Sequence, residues 1–143
     1  MSDIKILEEF PPNYEAIKAR FDLEGTKPLF TYGRTIYNPH KAVLRSDLLV
    51  HEEIHCKQQG DTPEEWWEKY LTDDDFRLAQ ELDAYAVQYG YVKELPQVDA
   101  KKSAWFLDRC AETLSSPMYG NLLTFQKAKT AIRKKQKELS TKK

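Results

Sequence analysis

The segment His51-Glu52-Glu53-Ile54-His55 sets two imidazoles four residues apart, with a carboxylate beside the first. On an α-helix this spacing separates the rings by about 40° around the axis and ~6 Å along it, so both reach one tetrahedral ion. Glu52 can then face a water held at that ion without ligating the ion itself, as a general base must. The chemistry implied is metal-assisted hydrolysis, and zinc is the ion that suits such ligands. A competing reading follows from Leu44, Leu48, His51 and His55 lying on one helical stripe: the histidines would be core-edge residues hydrogen-bonded to neighbours.

A catalytic zinc site needs a third protein ligand and one open position. Glu81 is the leading candidate. It lies three residues after Leu78 and four before Tyr85 on a helix whose apolar stripe is Leu78, Leu82, Tyr85, Tyr89 and Val92, so its carboxylate points inward. A buried carboxylate is costly unless a cation meets it, which a metal ion or an ion pair with Arg77 would provide. His40, beside the Asn38-Pro39 break, is a weaker candidate, and Asp83 is turned about 200° from Glu81.

The elements that must position these residues are mostly helical. A short amphipathic helix follows Pro11-Pro12-Asn13 through Tyr14, Ile17 and Phe21. Two β-rich runs, Pro28 to Thr31 and Arg34 to Tyr37, flank Tyr32-Gly33 as a hairpin. A helix from about Ser46 to Gly60 carries the histidines on a scaffold of Leu48, Leu49, Val50 and Ile54. Thr62-Pro63-Glu64-Glu65 and Thr72 with Asp75 are capping patterns that start two further helices, the second ending before Pro96. Helices over Asp99–Thr113 and from Thr124 to about Glu138 complete the chain. The expected class is α+β, predominantly helical, with a small sheet beside the histidine helix. At 143 residues the chain fits one domain over 1–143, with a basic tail that frays from about 134.

Two histidines on one helix and a glutamate on a following one resemble the gluzincin metallopeptidases, a zincin group, and Glu81-Leu82-Asp83-Ala84 is similar to the Glu-x-x-Ala pattern of their second helix. The resemblance implies a zincin-like domain, Zn²⁺ on His51, His55 and Glu81, and a peptide or protein substrate laid along a strand edge, here that of the Phe30 to Tyr37 hairpin. Several such families carry an aspartate or asparagine four residues after the glutamate, where this chain has Tyr85. A wider resemblance is to small His-Glu-x-x-His proteins of phages and prophages. It rests on Phe10 to Tyr14, Thr35 to Pro39, Gln58 to Asp61, Trp66-Trp67 and Met118 to Asn121. For a donor to the developing oxyanion, Tyr119 in the Ser115 to Asn121 loop is the candidate.

The remaining features exclude more than they select. Twenty-two basic and 23 acidic side chains nearly cancel, so no long-range field steers the chain to nucleic acid or membrane. From Lys127 to Lys143 eight basic residues face only Glu138, but no aromatic follows Phe125 to stack on a base, so nucleic acid is not the expected partner. Cys56 and Cys110 are expected as buried free thiols. The absence of a signal-like or membrane-length apolar run leads to an expected cytoplasmic location, the bacterial host cytosol for a phage product. Two alternatives share the motif: an amide hydrolase acting on cell wall, and a phage accessory or assembly protein with a structural zinc.

Overall fold

A computed structural model gives the structure of residues 3–141. The strands are β1 (Lys5–Leu7), β2 (Phe30–Tyr32) and β3 (Thr35–Tyr37). The helices are α1 (Tyr14–Arg20), α2 (Ser46–Gln59), α3 (Pro63–Thr72), α4 (Asp74–Lys93), α5 (Ala100–Leu114) and α6 (Phe125–Thr141), with a 3₁₀ turn at Pro117–Tyr119. This is the expected α+β class, predominantly helical. Among the described residues no helix is long and apolar enough to cross a membrane.

The sheet has the order β1-β3-β2. β2 and β3 form the expected hairpin, Tyr32 opposite Thr35, with Gly33 at φ +66° in the turn. β1 was not legible in the sequence: it has three residues, and it joins β3 in parallel with Ile6 opposite Ile36. Parallel pairing requires a crossover, which α1 and β2 supply.

α4 is the hub, packed against α2, α3, α5 and α6. Its side of the core is sealed by Leu107, Leu114 and Ile132, each of which contributes ~1.5–3 kcal/mol by leaving water. The buried face of α4 is shifted from the expected stripe: Arg77, Glu81, Ala84, Tyr85, Gln88 and Tyr89 are buried, while Leu78 and Leu82 are only half-buried. On α2 the polarity is inverted. Asp47, His51, Glu52, His55, Cys56 and Gln59 are the buried residues, and Leu48, Leu49, Val50 and Ile54 stay half-buried. Polar groups inside both helices must be paired or must hold an ion.

Local starts differ from the capping patterns. Asp73, not Thr72, caps α4, its carboxylate accepting from the Phe76 amide at 3.1 Å. Thr62 precedes α3 with no side-chain cap, its hydroxyl donating instead to Gln59 O. α6 stays helical to Thr141, past the expected fray at 134, and along it Lys129 pairs with Asp108 of α5 and Lys135 with Asp83 of α4. Those pairs also neutralise part of its basic face; the last two tail residues, 142 and 143, lie outside the described residues. Cys56 and Cys110 are buried and free as expected, and burial pushes their thiols up to about 11 and about 12.

The fully buried Arg77 does not pair with Glu81. Its guanidinium donates to Tyr119 O at 3.0 Å, Tyr70 O at 2.5 Å and the Asp74 carboxylate. It thereby ties α4 to the end of α3 and to the 3₁₀ turn. Gly120 sits against it at φ +92°, a conformation that favours glycine, and a Cβ there would lie 3.3 Å from Arg77 Nη2, a tight contact.

Candidate metal centre

α2 and α4 bring His51, His55 and Glu81 together. His51 Nε2 and His55 Nε2 lie 3.2 and 3.3 Å from the same oxygen, Glu81 Oε1, and all three side chains are nearly inaccessible to solvent. One candidate ligand atom from each falls within 4.8 Å of the others, a group able to hold a metal ion.

The hydrogen bonds around the rings fix what those atoms are. His51 Nδ1 is 2.9 Å from Gln88 Oε1, and His55 Nδ1 is 2.8 Å from Gln58 Oε1. Each carboxamide is oriented by its own nitrogen, Gln88 Nε2 donating to Asp47 Oδ2 at 2.7 Å and Gln58 Nε2 to Gln80 O at 3.0 Å. A carboxamide oxygen only accepts, so both Nδ1 atoms carry the proton and both Nε2 atoms present lone pairs. These two lone pairs converge on Glu81 Oε1, a buried oxygen with no hydrogen-bond donor. Three acceptors aimed at one point in a dry site demand a cation, so the residues present fit a metal ion.

Without a metal, a proton must serve. Burial alone would lower the His55 pKa, but the Glu81 carboxylate outweighs it and raises the value from 6.5 to about 9. Glu81 is held far below the usual carboxylate range; its burial opposes this, and His55 and His51 overcome it. A metal ion arriving below pH 9 therefore displaces the His55 proton. With zinc as the probe, its apparent affinity is expected to rise with pH by about tenfold per unit to about pH 9 and then level off, read by competition with a chelator at fixed ionic strength.

The groups that orient the ligands escape a motif reading. The position four residues after Glu81 holds Tyr85, whose ring packs edge-on against His51 at 4.4 Å and offers it no acceptor. Gln88 does so from seven residues after Glu81, backed by Asp47, whose carboxylate is clamped by Arg45 at 3.0 and 3.1 Å. Tyr70 of α3 donates to Glu81 Oε2 at 2.6 Å. The only sequence signal for Gln88 was its place two turns beyond Glu81 on one face. Gln88→Leu, which keeps the volume and deletes the acceptor, is expected to weaken metal binding by about 10–100-fold in a chelator competition and, by leaving the His51 N–H and the Asp47 carboxylate without this partner, to lower metal-free stability by about 1–3 kcal/mol.

Glu52 is buried beside the triad. Thr31 of β2 donates to its Oε1 at 2.7 Å, Oε2 has no hydrogen-bond partner among the described residues, and Glu52 lines two cavities that share His51 and Glu52. One, about 60 Å³, has an apolar wall including Phe21, Phe30, Trp66 and Trp67. The other is about 210 Å³. Tyr119 borders both, its hydroxyl 2.9 Å from that of Tyr85, and burial together with the Glu81 charge pushes both phenols well above their ordinary pKa, so they stay protonated. His40 stands apart, exposed and edge-on to Phe10 at 5.8 Å, and Asp83 pairs with Lys135.

The hairpin edge is not open at its centre. Thr31 O accepts from Gln59 Nε2 at 2.8 Å and Trp67 Nε1 at 2.9 Å, and the Gly33 amide donates to Gln59 Oε1 at 2.6 Å. The Gln59 side chain thus occupies the hydrogen-bonding sites that an extended peptide would use there, and β3 is already flanked by β1 and β2. No family model, curated protein or solved structure matches this chain.

Proposed function

We propose that this chain is a zinc-dependent hydrolase of the zincin type that cleaves peptide bonds, with His51, His55 and Glu81 as the metal ligands and Glu52 as general base and acid. The observation that carries the proposal is the convergence of two histidine lone pairs on an undonated, buried glutamate oxygen, directly beside a carboxylate with one free oxygen at a cavity. The zincin comparison rests on the two histidines of α2, the glutamate of α4 and the small sheet beside α2.

Bound zinc supplies Lewis-acid polarisation of water and of a substrate carbonyl. Thr31 holds Glu52 Oε1, so Oε2 is the atom that takes a proton from the attacking water and returns it to the departing amine. Gln88 and Gln58 keep the two rings in the tautomer that leaves Nε2 free. The apolar cavity excludes water on one side of the site and fits an uncharged side chain. Tyr119, a protonated phenol bordering both cavities, is the candidate donor to a developing oxyanion, once its bond to Tyr85 is exchanged for one to substrate.

The test is elemental analysis of purified protein after exhaustive buffer exchange, followed by peptide hydrolysis with Glu52→Gln as control. About one zinc per chain with hydrolysis that the variant lacks supports the reading. Failure to hold zinc even after reconstitution would remove it.

A further inference from the structure

The two cavities beside Glu52 differ in charge. Among the described residues no lysine or arginine lines the apolar one, whereas Lys27, Arg45 and Arg109 line the larger, with Glu52 as the only carboxylate. Arg45 is braced by Asp47, and Arg109 donates to Glu112 at 2.6 Å; neither acid borders the cavity. Among the described residues Lys27 has no carboxylate within ion-pair distance. A chamber of about 210 Å³ with three cations on its wall is complementary to an anion.

Two exposed apolar residues neighbour its lining in sequence. Val43 is 81% exposed and Trp105 61% exposed, and each adjoins in sequence a lining residue, Ala42 and Phe106. The Arg109 guanidinium lies over the Trp105 ring, 5.3 Å from its centroid, so an exposed ring adjoins one of the lining cations. The exposed Trp105 ring beside Arg109 offers a bound chain apolar surface next to a cation, which favours a side chain over a chain end as the charged group.

We propose that this chamber selects peptide substrates by an acidic side chain, Asp or Glu, placed close to the scissile bond and held by Lys27, Arg45 and Arg109. The proposal rests on the peptidase reading of the metal site and adds the substrate class. Because Arg45 and Arg109 each keep an acid behind them, the gain comes from a second, cavity-side contact to each guanidinium and from the unpaired Lys27 ammonium.

The experiment uses zinc-loaded Glu52→Gln and two rhodamine-labelled, amidated peptides that are identical except that Glu in one replaces Gln in the other, with binding read by fluorescence anisotropy. At about 50 mM salt the Glu peptide is expected to bind about tenfold more tightly, with the difference shrinking at about 500 mM as screening shortens the reach of the cations. The Lys27→Glu/Arg109→Glu version, its zinc content and melting temperature checked, is expected to lose the preference. Equal affinities, no measurable binding of the Glu peptide, or a preference that survives the charge reversal would overturn the proposal. Wild-type hydrolysis of the same pair separates the two readings: an intact binding preference without any hydrolysis sinks the peptidase and leaves the acidic-ligand chamber standing.

Discussion

Glu52→Gln is expected to bind one zinc per chain like the parent and to lose hydrolysis by about 10²–10⁴-fold, the usual contribution of a positioned general base. The carboxamide preserves the volume, and its oxygen can still accept from Thr31 Oγ1, as Glu52 Oε1 does at 2.7 Å. What disappears is the partnerless second oxygen, replaced by an amide nitrogen that cannot accept a proton. None of the three metal-directed atoms belongs to residue 52, so occupancy is insulated from the change. The loss is expected in kcat rather than KM, because the interaction removed is one made as the proton moves. Unchanged hydrolysis with zinc retained would assign the base elsewhere. A chain in which neither parent nor variant hydrolyses anything, with zinc held equally by both, would mark the ion as structural.

Glu81→Gln carries the second large effect, and its sign differs between the two states of the protein. The substitution places an NH₂ group where Oε1 stands 3.2 and 3.3 Å from the two Nε2 atoms, and each lone pair gains a donor. The remaining carboxamide oxygen can keep the bond from Tyr70, 2.6 Å from Glu81 Oε2 in the parent. Above about pH 9, where His55 of the parent has lost its extra proton, metal-free Glu81→Gln is therefore expected to melt no lower than the metal-free parent, since an unpaired buried charge and an undonated oxygen are both removed; at neutral pH the parent keeps a His55–Glu81 ion pair that the variant lacks. Zinc has the opposite consequence. At about a thousand times its dissociation constant it stabilises the parent by roughly 4 kcal/mol, on the order of 10 °C in melting temperature for a chain of this size. The variant is expected to show no shift, because its two histidines are satisfied and its third ligand is neutral. Paired thermal melts with zinc and with chelator read both effects, and a zinc-dependent shift in the variant equal to the parent's would exclude Glu81 as a ligand.

How the helices meet explains which of these features a linear reading reaches. His51, Glu52 and His55 are legible because the helical repeat alone brings residues four apart to one side, and Glu81 is legible because three- and four-residue spacings from Leu78 and Tyr85 turn it inward. The helices themselves, the hairpin and the class follow from turn residues and periodicity in the same local way. Where local rules misread the chain, tertiary packing had the final word. On α2 the leucines lie half-exposed and the polar stripe is buried, an arrangement that hydrophobic periodicity reverses. It holds because Gln88 of α4 and Thr31 of β2 reach that stripe from other elements, while Asp47 and Gln58 complete it from α2 itself.

The sequence by itself determined a helical frame, the two histidines with their adjoining glutamate, and the inward glutamate that follows. Only the tertiary structure decided that Gln88 and Gln58 select the ring tautomers, that Arg77 serves the Tyr119 turn rather than Glu81, that Gln59 closes the hairpin edge, and that the two cavities differ in charge. The physical reason is one of range. Helical spacing acts over a few residues, whereas a buried donor or acceptor takes whichever partner the packed helices deliver, here from 3 to 42 positions along the chain.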